Sequence, residues 1–553
     1  MGAHHTPRRR LCKPFAGAPP AFRPPRAFSL MSRAGPPSGR PVPGRSMSDS
    51  TTSFSPALQE TPSLTARVAR GAAWIFGAGL IARALGAVNT IGVARLLAPD
   101  AIGVVATATI MMQLLQGISD IGVSQAVVRF RDAGRKDLDT LFTLSALRGL
   151  VIGAALLASA PLAAQFYDDP RLFWTFAGVA AFPAMMGLVN PRFYEFEREL
   201  KFSREFIATI LNRLAGVAVS LTVAIIFRTY WAIICGLIAG GFVQLVLSYA
   251  LRPHLPRFSF KSFSKVFGFS GWLAGVSFMA ALNNKLDVPI LTRLAGGGGA
   301  GVYFMGLHLS ELAAGQIAGP VTRALYPGLS EMQGEPDRMR AAFLRGVEAL
   351  GAFAMPAAFG LAFVARDFTA VVLGEKWAEA APAIALLAPV IGLQSLFFAT
   401  QAYAVALGLT RLVFFRELIF FLVRMPVFIW AAMAHGLQGA VAAAAGMGLF
   451  HVALNFALFA RAGGGAFWAP LWSARRPIGA VALMALWFLA LRPIVLPLEG
   501  LAPVWRLGLD SLSGAGLYVA ALFALWRAEG APDGVETRAL AAIAVTAKRL
   551  SRN

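Results

Sequence analysis

The sequence predicts an all-α, polytopic membrane protein: two six-helix bundles in parallel repeat plus two extra C-terminal helices, fourteen spans in all. Three observations carry this. Of 553 residues, 57% are hydrophobic and only 14% charged, where a soluble domain carries about 25% charge, and the mean hydropathy is +0.63. From Val68 onward, apolar segments of about 20 residues alternate with short polar joints, the length a ~30 Å hydrocarbon core demands. Lys and Arg crowd into every second joint, as they do on a cytoplasmic face.

Residues 1–65 come before any span. The stretches PRRR, APPAFRPPRAF and RAGPPSGRPVPGR are too rich in Pro, Gly and Arg to bury a core, so a disordered basic tail is expected. No apolar signal-peptide core is visible in it. An Arg-rich, acid-poor transit peptide and a true start at Met47 are the other two readings. The first bundle, within 66–260, is expected to hold spans 70–93, 101–124, 141–165, 172–190, 205–227 and 230–251. The joints LLAPD, RFRDAGRK, YDDP, NPRFYEFEREL and FRTY separate them, each too polar to stay in lipid. The second bundle, within 261–462, takes 265–288, 299–324, 341–365, 380–407, 411–433 and 436–460. The run Gly296–Gly299 reads as a flexible turn between its first two spans. An extra pair, 474–495 and 504–526, falls within 463–530, and 531–553 is left as a cytoplasmic tail.

Orientation follows the cations. After spans 2, 4 and 6 come Arg129/Arg131/Arg135/Lys136, Arg192/Arg198/Lys201/Arg204 and Arg252/Arg257/Lys261/Lys265. After spans 8, 10 and 12 come Arg338/Arg340, Arg411/Arg416 and Arg461/Arg475/Arg476. The opposite joints carry only Arg95, Arg171, Arg228, Arg293, Arg366/Lys376 and Arg492/Arg506. Both termini are therefore expected in the cytoplasm. The formal charge of +22 is accounted for by the tail and these joints, and nucleic acid is not an expected partner.

An internal repeat is visible. ARLLAPDAIGVV at 94–105 and TRLAGGGGAGVY at 292–303 align at a constant offset of 198, which matches Arg95 with Arg293, Leu96 with Leu294, Gly103 with Gly301 and Val104 with Val302. Spans 1 and 7 both start on the cytoplasmic side, so the repeat is parallel, with its axis along the membrane normal.

Charges inside the spans are the candidate site. Arg83 and Arg424 lie near the centres of spans 1 and 11, and Glu311 near that of span 8. Arg148 and Arg213 lie about nine residues in from the cytoplasmic ends of spans 3 and 5. Four lipid-facing arginines would cost on the order of 10 kcal/mol. Arg148 and Arg213 are shallow enough to snorkel. Arg83 and Arg424 should face an aqueous cavity or pair with Glu311 or Glu417. Guanidinium grips phosphate in a bidentate fashion, so Arg83, Arg424, Arg148 and Arg213 are the candidate substrate-binding residues for an anionic cargo. The run Asn283-Asn284-Lys285-Leu286-Asp287 ends span 7 and suits either an outer gate or a self-paired Lys285 and Asp287. Glu311, Asn284, Lys285 and Asp287 are the candidates for gating or ion coupling. Asp120 reads as a cap or a partner of the basic joint after it.

Several classes are excluded or disfavoured. Cys12 and Cys235 alone make neither a disulfide framework nor a thiolate metal site, and the six His form no HExxH. There is no GxxxxGK[ST] loop, and no joint is long enough to hold a catalytic domain. Neither a metal, a cofactor nor an enzymatic reaction is expected.

The stretches RLLAPDAIGVVATA, SDIGVSQAVVRF at 119–130, DLDTLFTLSALRGL at 137–150, PRFYEFERELKFSREF at 191–206 and TRALYPGLSEMQ at 322–333 resemble the polysaccharide-transport flippases. These belong to the multidrug/oligosaccharidyl-lipid/polysaccharide exporter superfamily. The resemblance covers roughly 66–460, and more weakly the last two spans. It implies a multi-pass carrier in the bacterial inner membrane. Such a carrier moves a polyprenyl-pyrophosphate-linked oligosaccharide outward by alternating access, through a cationic central cavity, beside a polysaccharide polymerase and export machinery. A multidrug exporter of the same superfamily is the alternative function, and a structural scaffold for polysaccharide assembly a third. The second-half turn lacks the acid that stands at Asp100 in the first.

Overall fold

The computed structural model describes residues 64–119, 135–199, 202–260, 271–332, 334–495, 500–532, 534–537 and 540. The expectations for residues 1–63, for Asp120 and the basic run through Arg131, and for 541–553 fall outside the described residues.

Every regular element among the described residues is helical. The first half comprises α1 (Leu64–Leu96), α2 (Pro99–Ile118), α3 (Arg135–Tyr167), α4 (Arg171–Gly187), α5 (Phe202–Phe227) and α6 (Trp231–Leu251). The second half comprises α7 (Gly271–Lys285), α8 (Asp287–Glu331), α9 (Pro336–Phe363), α10 (Ala380–Ser395) and α11 (Thr410–Phe459). Last come α12 (Arg475–Leu486) and α13 (Pro503–Ala528). Prolines open α2, α9 and α13, where a missing amide costs nothing, and Asp100 and Asp337 sit in the positive first turns of α2 and α9.

Two expected joints are not loops. The run Gly296–Gly299 stays helical except at Gly296, whose φ of 73° is left-handed. That one residue reverses the chain. Sixteen residues along a straight helix span about 24 Å, yet Tyr303 Oη donates to Asp287 Oδ2 at 2.6 Å. Likewise α11 doubles back at His435 and Gly436, which brings Arg416 to Asn455, 39 residues on.

In the first half α3 lies along α4, and α5 along both α6 and α1; in the second, α9 and α10 pack around α8. The halves meet chiefly through α2 and α8. Helix α2 is apolar all round because both faces are covered. Val104, Val105, Ala108 and Met112 pack within the first half. Ala106, Ile110 and Leu114 pack among Leu291, Tyr303 and Phe428 of the second. Lipid tails are as apolar as these side chains, so close packing rather than burial from water holds this seam.

The segment 252–260 leaves α6 extended and is tied back to α3. The amide of Arg257 donates to Asp139 Oδ1 (3.0 Å), that of Ser259 to Thr143 Oγ1 (2.8 Å). The C-terminal pair docks on α9 and the joint that follows it. Tyr518 Oη donates to the Ala352 carbonyl (2.8 Å) and Arg506 pairs with Asp367 (2.8 Å).

Candidate functional site

The polar run of the second half sits at a nick in a helix. Helix α7 stops at Lys285 and α8 resumes at Asp287. Pro289 is the cause: it has no amide to give the Lys285 carbonyl, and its ring crowds the turn before it. The amides of Leu286 and Ile290 still bond back to Leu282 (3.3 Å) and Leu286 (3.1 Å), so the helix is interrupted rather than ended. A freed carbonyl inside a membrane needs a donor. Arg424 of α11 supplies one to the Asn283 carbonyl, two residues before Lys285, with Nη1 donating to it while Nη2 pairs with the Asp287 carboxylate. Its guanidinium also lies 5.5 Å over the ring of Phe420. The Arg424 side chain is 11% exposed and that of Asp287 3%.

Asn283 and Asp287, four apart, share one face of the helix, and that face is buried against α11. Asn283 Nδ2 donates to the Glu417 carboxylate (2.9 Å) and carbonyl (3.1 Å). Arg416 pairs with Glu417 and reaches Asn455 on the returning arm of α11. Adjacent helical positions do not face each other, so the long Arg416 side chain must fold across to make that pair. Asn455 Nδ2 donates to the His451 carbonyl (2.8 Å), and the His451 ring stacks on Phe420 at 4.4 Å. Two cations and two carboxylates thus cancel inside the second half. Asn283 Oδ1, Asp287 Oδ1, Arg416 Nε and His451 Nε2 are buried there without a hydrogen bond among the described residues, which leaves capacity for water or a proton.

The opposite face of the nick is presented rather than locked. Asn284 is exposed and Lys285 half-buried, and Lys285 makes no ion pair or hydrogen bond among the described residues. Glu311, exposed on α8 two turns beyond Tyr303, feels the charges of Lys285 and Asp287. Two expectations are corrected here. Lys285 and Asp287 are not a self-paired couple, because Asp287 belongs to Arg424. Nor does Arg424 pair with Glu311 or Glu417: α7 packs along α11, which sets Asn283 and Asp287 at its guanidinium.

The remaining predicted cations are dispersed. Arg83 is half-buried on α1, and Arg213 exposed on α5; neither forms an ion pair or hydrogen bond among the described residues. Arg148 donates to Ser119 Oγ (3.0 Å) and to the Gln116 carbonyl, a cation placed on the negative C-terminal end of α2. Outside the spans, Arg171 joins Asp100 to Asp169 (2.7 Å). Its hydrogen bond holds the Asp169 carboxyl below the usual carboxylate range, and the two acids raise the guanidinium in turn. Among the described residues no three His, Cys, Asp or Glu are grouped to hold a metal ion.

Residues 93–382, more than half of the chain, match the family described as polysaccharide biosynthesis protein. The chain belongs to that family. Family resemblance extends to characterised relatives. The lipopolysaccharide biosynthesis protein WzxC of Escherichia coli K12 is 25% identical over 340 residues, 60% of this chain and 68% of the relative. The succinoglycan biosynthesis transport protein ExoT of Rhizobium meliloti is 22% identical, over 53% of this chain and 60% of its own. The fold is also that of a solved lipid II flippase, MurJ in an inward closed conformation. The TM-score is 0.64 at 13% identity, covering 83% of this chain and 99% of that one. An inward-facing multidrug transporter of the MATE family superposes at a TM-score of 0.52, 14% identity, over 72% and 94%. This family member is therefore a multi-pass membrane protein built as polysaccharide-transport flippases and their superfamily are built.

Sequence reading missed Arg416, Asn455, His451 and Tyr303 as members of the network. Arg416 stands at the start of a span and reads as a joint cation; Asn455, His451 and Tyr303 are single polar groups in apolar helices, a weak signal. The pair Arg416–Glu417 inside the apolar stretch LVFFRELIFFLV was the one visible clue.

Proposed function

We propose that this protein is a flippase for lipid-linked oligosaccharides, moving polyprenyl-pyrophosphate-linked glycan repeat units from the cytoplasmic to the periplasmic leaflet of a bacterial inner membrane, with both termini in the cytoplasm. The observation that carries the reading is the family match through 93–382 on a flippase fold, with cations placed inside the membrane. Arg83 and Lys285, each without an ion pair or hydrogen bond among the described residues, would hold the pyrophosphate, with Arg148 and Arg213 guiding it from the cytoplasmic side. Arg424 would act one step removed. By satisfying Asn283 and Asp287 it fixes the nick that presents Asn284 and Lys285. Glu311, near Lys285, would release or take up a proton as the anion binds. A polymerase and export machinery would take the delivered glycan.

Complementation of a strain lacking its own polysaccharide flippase tests this. Wild type should restore surface glycan and clear lipid-linked precursor. At matched membrane levels Lys285→Ala and Arg83→Ala should each slow this about tenfold or more, the loss expected for one charge-assisted contact. Wild type that fails here but protects cells from cationic drugs would make the protein a multidrug exporter instead.

A further inference from the structure

The repeated motif at 94–105 and 292–303 lies where the two halves touch, and its matching residues make matching contacts. A methyl carbon on Gly103 would stand 1.9 Å from the Gly297 carbonyl oxygen and 2.7 Å from the Gly301 nitrogen. One on Gly301 would stand 1.9 Å from the Pro99 carbonyl oxygen and 3.0 Å from the Gly103 nitrogen. The offset of 198 carries Gly103 onto Gly301 and Pro99 onto Gly297, so each contact is the image of the other. Reciprocal contact of this kind is what a two-fold axis between the halves produces.

The paired arginines also reach across. Arg95 donates to the carbonyls of Val372 (2.8 Å) and Val371, in the joint between α9 and α10 of the second half. Arg293 lies 5.8 Å over the ring of Phe166, at the end of α3 in the first. Around them, Trp377 Nε1 donates to the Ala94 carbonyl (2.7 Å), and Thr107 and Thr292 hydroxyls meet at 2.6 Å. Leu97 and Ile102 pack with Met305, Leu373 and Trp377 in one buried apolar plug drawn from both halves. Among the described residues, the side-chain hydrogen bonds that cross between the halves are all of this end, the face opposite the basic joints.

We infer that the motif R-L-x6-G-V, used once in each half, is the outer gate of the transporter, closed in this structure. The glycines let two backbones meet where any side chain would hold them apart. The arginines latch each half onto the outer joints of the other. When the halves rock apart, the same four residues release together and the plug opens to the periplasm. The inference rests on the proposed transport role for its purpose, but its test needs no cargo.

Met305→Cys, in a chain also carrying Cys12→Ser and Cys235→Ser, places one thiol in the plug. In right-side-out membrane vesicles a membrane-impermeant maleimide should label it slowly. Adding Gly103→Ala or Gly301→Ala should raise the labelling rate about tenfold or more, because the closed state no longer fits. The double variant Arg95→Ala/Arg293→Ala adds no volume and should act in the same direction, since it removes charge-assisted contacts. Should either alanine variant fail to yield monodisperse protein, the arginine variant alone decides. An unchanged labelling rate in the folded variants overturns the gate, whether or not the protein flips glycolipid in cells. Fast labelling of the parent thiol overturns the closed state itself.

Discussion

Helix α1 runs unbroken for 33 residues, whereas its counterpart in the second half is nicked at Leu286 and turned at Gly296. At the offset of 198, Leu85, Ala87, Asn89 and Ile91 stand where the second half has Asn283, Lys285, Asp287 and Pro289. The first half thus has neither the helix-breaking proline nor the charges that would stabilise the break. At the end opposite the basic joints the comparison runs the other way, since Arg95 and Gly103 are matched by Arg293 and Gly301. A closure between halves needs both to contribute alike. A binding or coupling device needs only one, and a buried ion network is too expensive to duplicate without use.

The largest effect should come from unbalancing that network. Arg424→Ala leaves Asp287 buried and uncompensated and frees the Asn283 carbonyl, a loss of about 3–5 kcal/mol. Thermal unfolding of the purified protein in detergent would register it as a steep fall in Tm. The double change Arg424→Leu/Asp287→Leu should recover part of that loss, because no buried charge is left uncompensated while the Asn283 carbonyl and the Tyr303 hydroxyl still lose their partners. Asn89→Leu, at the matching place in the first half, should be close to neutral, for Asn89 Oδ1 is already buried without a hydrogen bond among the described residues. An Arg424→Ala protein as stable as wild type would mean that the network carries no structural load.

A subtler change makes the second half resemble the first. Pro289→Ala restores an amide that can bond to the Lys285 carbonyl, so stability should hold within about 1 kcal/mol of wild type or rise. Glycan transport should nonetheless fall, since the healed helix no longer presents Asn284 and Lys285. Full transport by Pro289→Ala would show that the nick has no part in function.

The smallest effect concerns the joint between α3 and α4. Asp169 has a folded-state pKa lowered by Arg171, so its contribution to stability is present above the unfolded carboxylate pKa of about 4 and is lost as pH falls through the lower, folded value. The Asp169 side chain is 17% exposed and that of Arg171 42%, so the contribution is that of a partly screened pair at a helix end. Asp169→Asn should lower Tm slightly at neutral pH and make its decline in acid shallower. Parallel Tm curves for the two proteins would remove the pair from the account of that joint.

The helices were legible from their apolar lengths, and the repeat from a handful of matched residues. Pairing was not. Arg424 reads in the sequence as a deep, unassigned cation, because nothing local says that Asp287, 137 residues away, will be carried to it. A self-paired Lys285 and Asp287 is one of two readings that their closeness in sequence allows, yet the nick between them leaves one half-buried and buries the other. Gly296–Gly299 reads as a loop because glycine disfavours helices in water. Gly297 packs against Asp100 and Val104 of α2, and three of the four glycines stay helical while Gly296 makes the turn.

By itself the sequence determined the class of this protein, since that follows from solvent chemistry acting on about twenty residues at a time, and it set the expectations for spans and orientation. It also showed the repeated residues at 95–104 and 293–302, without saying that they touch. Which charges are spent on one another and which stay free was decided only by the tertiary structure. That choice depends on two chain reversals and one helix break, which bring together residues up to 141 positions apart.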